Sequence, residues 1–433
     1  MAHHSFGKGF YRLAKRLDRA PQGAPTTPIF LEILRMLFSE KEAELAALLP
    51  QKPFTAHKAS RIWDLDQHTA TIILEGLAGR GLLLDVEVLD RRYFIFPPPL
   101  GGFFKYSLMS DQGDCDRAAL AALYYQYLDG RDDLIEDHFA RGETRAGRVF
   151  VQETALSKEN LVEILDHERA THAVKSASRI GVGYCYCRRR MDLLGRVCRG
   201  PLEACLVLNR TAESLIKHGL ARPLGKGEAL DLIQRCCEEN LVQFGENARD
   251  GVAFICNCCG CCCEALIAFR KFAWLRPVQA SGFVPKFDAQ ACTGCGKCVE
   301  ACPVEALSLV SANDPFRPRL QKAKADLNLC LGCGICVRVC PNNLIDLCAR
   351  PGKKIVTPRD AAQRTVLMAL ERGKLQDYLF DNRVLWSHRA AAAVLGAILH
   401  LPPVKAALAV RQLKSIGAAA LAGLFGPRWS GKS

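Results

Sequence analysis

The sequence predicts an α+β chain of several domains, and three observations carry that prediction. Its 433 residues suffice for two to four cores, each buried without covalent help. Helical periodicity near the start gives way at LLLDVEVLDRRYFIFPPP to a two-strand pattern, as in a small mixed domain. Two four-cysteine runs of identical spacing, offset by 38 residues, mark a duplicated unit further on. The chain divides accordingly into a basic N-terminal arm (1–24), a helical domain closed by a hairpin (25–100), a mixed cysteine-rich domain (101–284), the duplicated unit (285–349) and a basic helical tail (350–433).

The first elements follow in order. After APTTP, IFLEILRMLFS begins a helix with Pro28 in its first turn, where the missing N–H costs nothing. EKEAELAALLP continues it, TAHKASRIWDL makes a short helix, and DQHTATIILEGLAGRG a longer one capped by Asp66 and stopped by glycine. Two strands joined through Asp90 and Arg91 complete a winged-helix order. Between Asp64 and Arg80, where a recognition helix would lie, three acids accompany one arginine and one histidine, a poor surface for a polyanion. DNA is therefore not the expected partner; a scaffold that docks a partner or the rest of the chain is.

Residues 101–180 show helical stripes in CDRAALAALYYQYLD, LIEDHFA and KENLVEILDHERATHAV. His138, His167 and His172 on or near them read as surface or core residues, and Cys236 and Cys237 as small side chains on a helix.

The duplicated unit carries the clearest chemistry. CTGCGKCVEACP and CLGCGICVRVCP both read C-x-x-C-x-x-C-x-x-x-C-P, the ligand run of bacterial two-cluster ferredoxins. Three thiolates on a glycine loop suit three irons of a cubane, and the fourth follows after three intervening residues. By the crossover of that run, Cys292, Cys295, Cys298 and Cys340 share one 4Fe-4S cluster, and Cys330, Cys333, Cys336 and Cys302 the other. Structural zinc uses paired C-x-x-C instead. EALSLV and NLIDLC end the two halves as strands, and the insert SANDPFRPRLQKAKADLNL reads as a solvated linker or a partner contact.

A second system lies upstream. Cys185, Cys187, Cys198 and Cys205 are spaced C-x-C-x10-C-x6-C, and in an extended segment a C-x-C pair turns both thiols to one face. Arg188, Arg189, Arg190, Arg196 and Arg199 sit among them, stabilising thiolates or docking an acidic partner or substrate. In CNCCGCCC, Gly260 marks a strand-to-helix turn that puts Cys261, Cys262 and Cys263 at a helix N-terminus, where thiolates are favoured. Cys256 and Cys258 repeat the one-face pattern, Cys259 looks elsewhere, and neighbouring thiols are expected to diverge. The two segments are expected to pool ligands into one or two additional Fe-S clusters, preferred over zinc; a redox-active thiol or persulfide site is the rival.

Taken together, YRLAKRLDRAPQGAP, the winged-helix segment, CYCRRR, PLEACLVL, ICNCCGCCC and the two cysteine runs resemble a family of 4Fe-4S dicluster ferredoxin proteins from anaerobic bacteria, over about residues 8–350. That resemblance implies Fe-S binding and electron transfer, with no named substrate.

Location and partners complete the reading. Grouped cysteines, 22 in all, and an opening segment without a secretory pattern place the protein in the reducing cytoplasm. The net charge is +13, and from Arg350 onward 14 Lys and Arg face four Asp and Glu. The tail reads as two apolar helices split by Pro402 and Pro403, with Lys405, Arg411 and Lys414 on one side of the second. It either lies peripherally on the anionic inner face of the membrane or folds onto its own protein; its longest apolar run, ten residues, is too short to span. The function expected is an intracellular electron carrier serving redox partner proteins. The alternatives are an Fe-S reductase or reductive activator working at Cys185–Cys263, and a redox-sensing winged-helix regulator.

Overall fold

A computed structural model describes residues 7–109, 115–128, 142–157, 164–272, 276–352, 356–382, 384–399, 401–409 and 411–425. His138 and the LIEDHFA helix lie outside them, as does part of the next helical stretch, 158–163.

Side-chain caps begin most of the early helices. α1 (Lys8–Arg19) is followed by α2 (Pro28–Leu37), α3 (Glu40–Leu48), α4 (Ala56–Trp63) and α5 (Gln67–Gly79). Thr27, Ser39 and Thr55 accept from the first turns of α2, α3 and α4, and Asp66 accepts from Thr69 N of α5 at 2.9 Å. The hairpin β1 (Leu84–Val88) and β2 (Arg91–Ile95) turns at Leu89 and Asp90, one residue before the expected pair. Both have positive φ, 49° and 58°, because a primed two-residue turn matches strand twist.

Residues 8–19 of the expected arm form a packed helix. Phe10, Leu13, Ala14 and Leu17 follow helical spacing and are buried, so α1 packs on α2 and α3. The N-terminal core also runs past residue 100. Phe104 stacks on Tyr124 of α6 (Arg117–Leu128) with centroids 4.3 Å apart, and Phe30 stacks on Tyr127 at 5.2 Å.

The middle of the chain builds an antiparallel six-stranded sheet: β3 (Gly147–Val149), β4 (Ile180–Tyr184), β5 (Glu203–Leu208), β6 (Arg222–Pro223), β7 (Val242–Glu246) and β8 (Phe254–Cys258), in spatial order β3-β7-β8-β5-β4-β6. Helices α7 (Ala170–Ser176), α8 (Tyr186–Leu193), α9 (Asn209–Lys217), α10 (Lys226–Glu238) and α11 (Glu264–Lys271) complete it. Cys236 and Cys237 lie in its core with Leu206, Leu232 and Ile255. The β1–β2 hairpin docks on α9 through buried Asp85, which accepts from Ser214 Oγ at 2.9 Å and Lys217 Nζ at 2.7 Å and meets His218 Nε2 at 2.8 Å. Burial opposes its charge, yet these partners and Arg92 hold the carboxyl well below the usual range.

The duplicated unit forms two antiparallel strand pairs, β9 (Phe283–Phe287) with β12 (Ile345–Ala349) and β10 (Leu307–Ser311) with β11 (Gln321–Ala325). Each half has one short helix, α12 (Lys297–Glu300) and α13 (Ile335–Arg338). The insert is thus more than a linker: QKAKA is strand β11, with Ala323 turned inward. The unit docks on the sheet through Gln152 N to Cys333 O at 2.9 Å and through Arg338, which reaches Gln152 Oε1 and Cys237 O. Arg350 donates to the carbonyls of Ser281, Phe283, Leu327 and Cys330, so it belongs to this unit more than to the tail.

The tail continues with α14 (Ala361–Glu371), α15 (Leu375–Leu379), α16 (Trp386–Leu399), α17 (Pro402–Ala409) and α18 (Arg411–Phe425). Ala418 and Ala422 of α18 pack on Val366 and Ala369, and Lys414 Nζ lies 2.7 Å from Glu371. Lys414 is therefore engaged within the protein. Among the described residues, no helix is long and apolar enough to cross a membrane.

Candidate metal centres

In the duplicated unit, positive-φ glycines shape both cysteine loops. Gly294 and Gly296 have φ of 68° and 78°, and Gly332 and Gly334 of 66° and 89°. A β-carbon on Gly294 would strike Gln321 O, and one on Gly332 would strike Phe283 O, so these turns need glycine twice over. Cys292, Cys295, Cys298 and Cys340 line one cleft, with Cys295 exposed. Cys302 is an electrostatic neighbour of Cys330, Cys333 and Cys336, whose thiols burial pushes up, Cys333 to about 12. Backbone amides aim at the fourth thiol of each run: Ala306 N lies 3.2 Å from Cys302 Sγ, and Leu344 N 3.4 Å from Cys340 Sγ. Both contacts run from residue i+4, so the halves match in detail. Such donors stabilise the anionic sulfur of a ligated cluster.

The upstream cysteines sort differently. β8 and its following turn alternate sides, and Cys256, Cys258 and Cys263 go one way while Cys259, Cys261 and Cys262 go the other. The inner thiols run as a hydrogen-bonded chain from Cys205 through Cys256, Cys258 and Cys263 to Cys187, with Cys205 and Cys256 paired across β5 and β8 at 3.9 Å. Hydrogen bonds from Cys205 and Cys258 hold Cys256 well below an ordinary thiol, and those from Cys187 and Cys258 do the same for Cys263. Burial pushes Cys185 up to about 12; Cys256 and Cys263 are among its charged neighbours.

Three cations border these thiols. Lys105 is buried, with Nζ 3.9 Å from Cys256 Sγ and 4.2 Å from the Phe254 ring centroid, and no carboxylate among the described residues pairs with it. Thiolate charge at Cys256 keeps it protonated against burial. Arg188 is fully buried and donates to Pro201 O and Asn257 O, and Arg190 lies 3.5 Å from Glu264. A buried ammonium beside several thiols fits an anionic thiolate-bound group.

The outer thiols are Cys198, Cys259, Cys261 and Cys262, all within 4.8 Å of one another. A hydrogen bond from Cys262, aided by Arg188, pulls Cys259 down to about 5.

Three sequence expectations change here. β4 ends at Tyr184 and α8 starts at Tyr186, so strand alternation does not govern Cys185 and Cys187. Cys198 leaves its sequence neighbours for Cys259, 61 residues away, while Cys185, Cys187 and Cys205 stay with the inner group. α11 begins only at Glu264 with Cys263 at its N-cap; Cys261 and Cys262 lie in the preceding turn, where their sulfurs converge to 3.7 Å instead of diverging. Lys105 was not anticipated; its signal is a single charge in the apolar run PPPLGGFFKYSLM.

The two regions touch. Gly260 sits on Pro303, whose carbonyl a β-carbon would strike, and one packed cluster holds Cys187, Cys256, Cys258 and Cys263 together with Cys302, Cys330 and Cys333.

The family model of the 4Fe-4S dicluster domain matches residues 291–344. No curated protein and no solved structure matches the chain. The match and the wealth of cysteines support iron–sulfur binding and an electron-transfer role.

Proposed function

We propose that this chain is an electron-transfer protein with two 4Fe-4S clusters in the ferredoxin unit and a third thiolate-bound redox centre at the inner cysteines. Cys292, Cys295, Cys298 and Cys340 hold the outward cluster; Cys302, Cys330, Cys333 and Cys336 hold the inward one. Such clusters supply single-electron exchange. The observation that carries the reading is the shared packing of Cys258 and Cys263 with Cys302, Cys330 and Cys333. Exposed Cys295 offers the partner-facing end, and the packing of Cys258 and Cys263 against Cys302 and Cys333 gives the inner thiols a short connection to the other.

The N-terminal elements act in this reading as a winged-helix-like scaffold. α5 carries no lysine or arginine, and the hairpin that would serve as a wing is engaged with α9 through Asp85. Both features favour internal docking over DNA contact.

Anaerobic rapid-freeze EPR tests the function. After mixing with a one-electron reductant, the ferredoxin signals and an upstream signal should develop together in the wild type. In Gly260→Ala the upstream signal should lag. An upstream centre that is absent, or that reduces at the same rate in both proteins, would refute the proposal.

A further inference from the structure

The ten upstream thiols do not form one pool. The geometry points to a separate mononuclear site at Cys198, Cys259, Cys261 and Cys262, holding one tetrahedral thiolate-bound ion, zinc or iron(II). This inference is independent of electron transfer through the inner group.

Sulfur spacing is the main argument. A metal–sulfur bond of about 2.3 Å in a tetrahedron sets neighbouring sulfurs about 3.8 Å apart. Here Cys198 and Cys259 Sγ are 3.6 Å apart and Cys261 and Cys262 Sγ 3.7 Å, with all four atoms within 4.8 Å of one another. A cubane binds each thiolate to a different iron, which holds the sulfurs farther apart than ligands of a single ion. The ferredoxin cysteines give an internal contrast: among the described residues, only the outer four form so close a set.

Charge and chain geometry agree. Four thiolates on a divalent ion leave two negative charges, and the donor set contains no carboxylate or histidine to reduce them. Arg188 lies beside the site, fully buried, and its Nε has no hydrogen-bond partner. Gly200 faces both Arg188 Nε and Cys198 Sγ, so the loop presents cation and ligand side by side. The other three ligands come from one turn, on which Gly260 packs so closely on Pro303 that a β-carbon would not fit. Soft thiolate donors in tetrahedral array favour zinc or iron over magnesium or calcium.

Cys261 is exposed while Cys262 is buried, so the site opens to solvent on one side. A chelator should therefore reach this ion before it reaches the buried inner group.

The test counts metal against acid-labile sulfide in anaerobically purified full-length protein. Cys198→Ser with Cys261→Ser should lose one zinc or iron per chain and no sulfide, with the ferredoxin EPR signals retained as evidence of folding. Loss of iron and sulfide in equal numbers would mean a cluster and overturn the inference. Unchanged metal content, or a Cys198–Cys259 disulfide in the wild type, would also overturn it. A second measurement needs no variant: wild-type protein depleted by brief chelation and refilled with Co(II) should give the absorption of a tetrahedral cobalt thiolate, and its absence counts against the site. Metal analysis separates zinc from iron. None of these readings depends on the rate at which the inner centre is reduced, so this inference and the proposed function fail separately.

Discussion

The chain holds thiols in two contrasting ways. In the ferredoxin unit, three of each four ligands lie within seven residues, on loops shaped by Gly294, Gly296, Gly332 and Gly334. Upstream, the thiols come from a strand end, a helix, a loop, a second strand and a turn, and neighbours in sequence separate in space. Local ligand runs can be recognised by spacing alone. Dispersed ones depend on the sheet that gathers them, and so on every element that sets strand order.

That contrast can be broken first at Cys258, which is hydrogen-bonded to both Cys256 and Cys263. Cys258→Ala should abolish the inner centre while the ferredoxin keeps about eight irons and eight sulfides, as anaerobic analysis would read. If the ferredoxin also empties, the two regions load as one.

Lys105 sharpens it next. Replacing the buried ammonium with Met removes positive charge beside Cys205 and Cys256. Reduction adds negative charge, so the inner potential should fall, on the order of 100 mV for an interaction of a few kcal/mol at an effective dielectric near 20. Redox titration should find the ferredoxin potentials unmoved.

Gly260→Ala probes the junction itself. Overpacking against Pro303 should cost about 1–3 kcal/mol, read as a lower midpoint in anaerobic denaturant unfolding. Gly227→Ala, inside α10 where nothing lies within 4 Å of an added β-carbon, is the control and should not lose stability.

The smallest expected effect is at Asp85. Asp85→Asn should cost about 1–2 kcal/mol at pH 7 by weakening its links to Lys217, His218 and Arg92. The sign follows from its depressed folded pKa. Its stabilisation is complete above the unfolded value of about 3.9 and declines as pH falls toward the folded one. The gap in thermal unfolding between wild type and variant should therefore begin to narrow only below about pH 4.

What the sequence disclosed follows the same division. Asp66, Pro28 and the paired glycine–cysteine loops act within a few residues, and each was readable as a cap, a first-turn proline or a ligand loop. The amphipathic spacing of Phe10, Leu13 and Leu17 is equally present, but the lysines and arginines between them give the segment the composition of a solvated arm. The pairing of Cys205 with Cys256 needs β5 beside β8, and no local pattern states that order. The convergence of Cys261 and Cys262 depends on turn dihedrals that adjacent cysteines alone do not specify. β11 was hidden because its lysines alternate with small alanines on a short edge strand.

The sharing of one cleft by Cys292, Cys295, Cys298 and Cys340 also bears on biosynthesis. A ribosome delivers Cys263 before any ferredoxin cysteine, and so completes every upstream thiol first. In the proposed crossed ligand sets, the group of Cys302 is complete once Cys336 is made, and that of Cys292 only with Cys340. In that arrangement neither ferredoxin cluster gains its full ligand set until both cysteine loops have been translated.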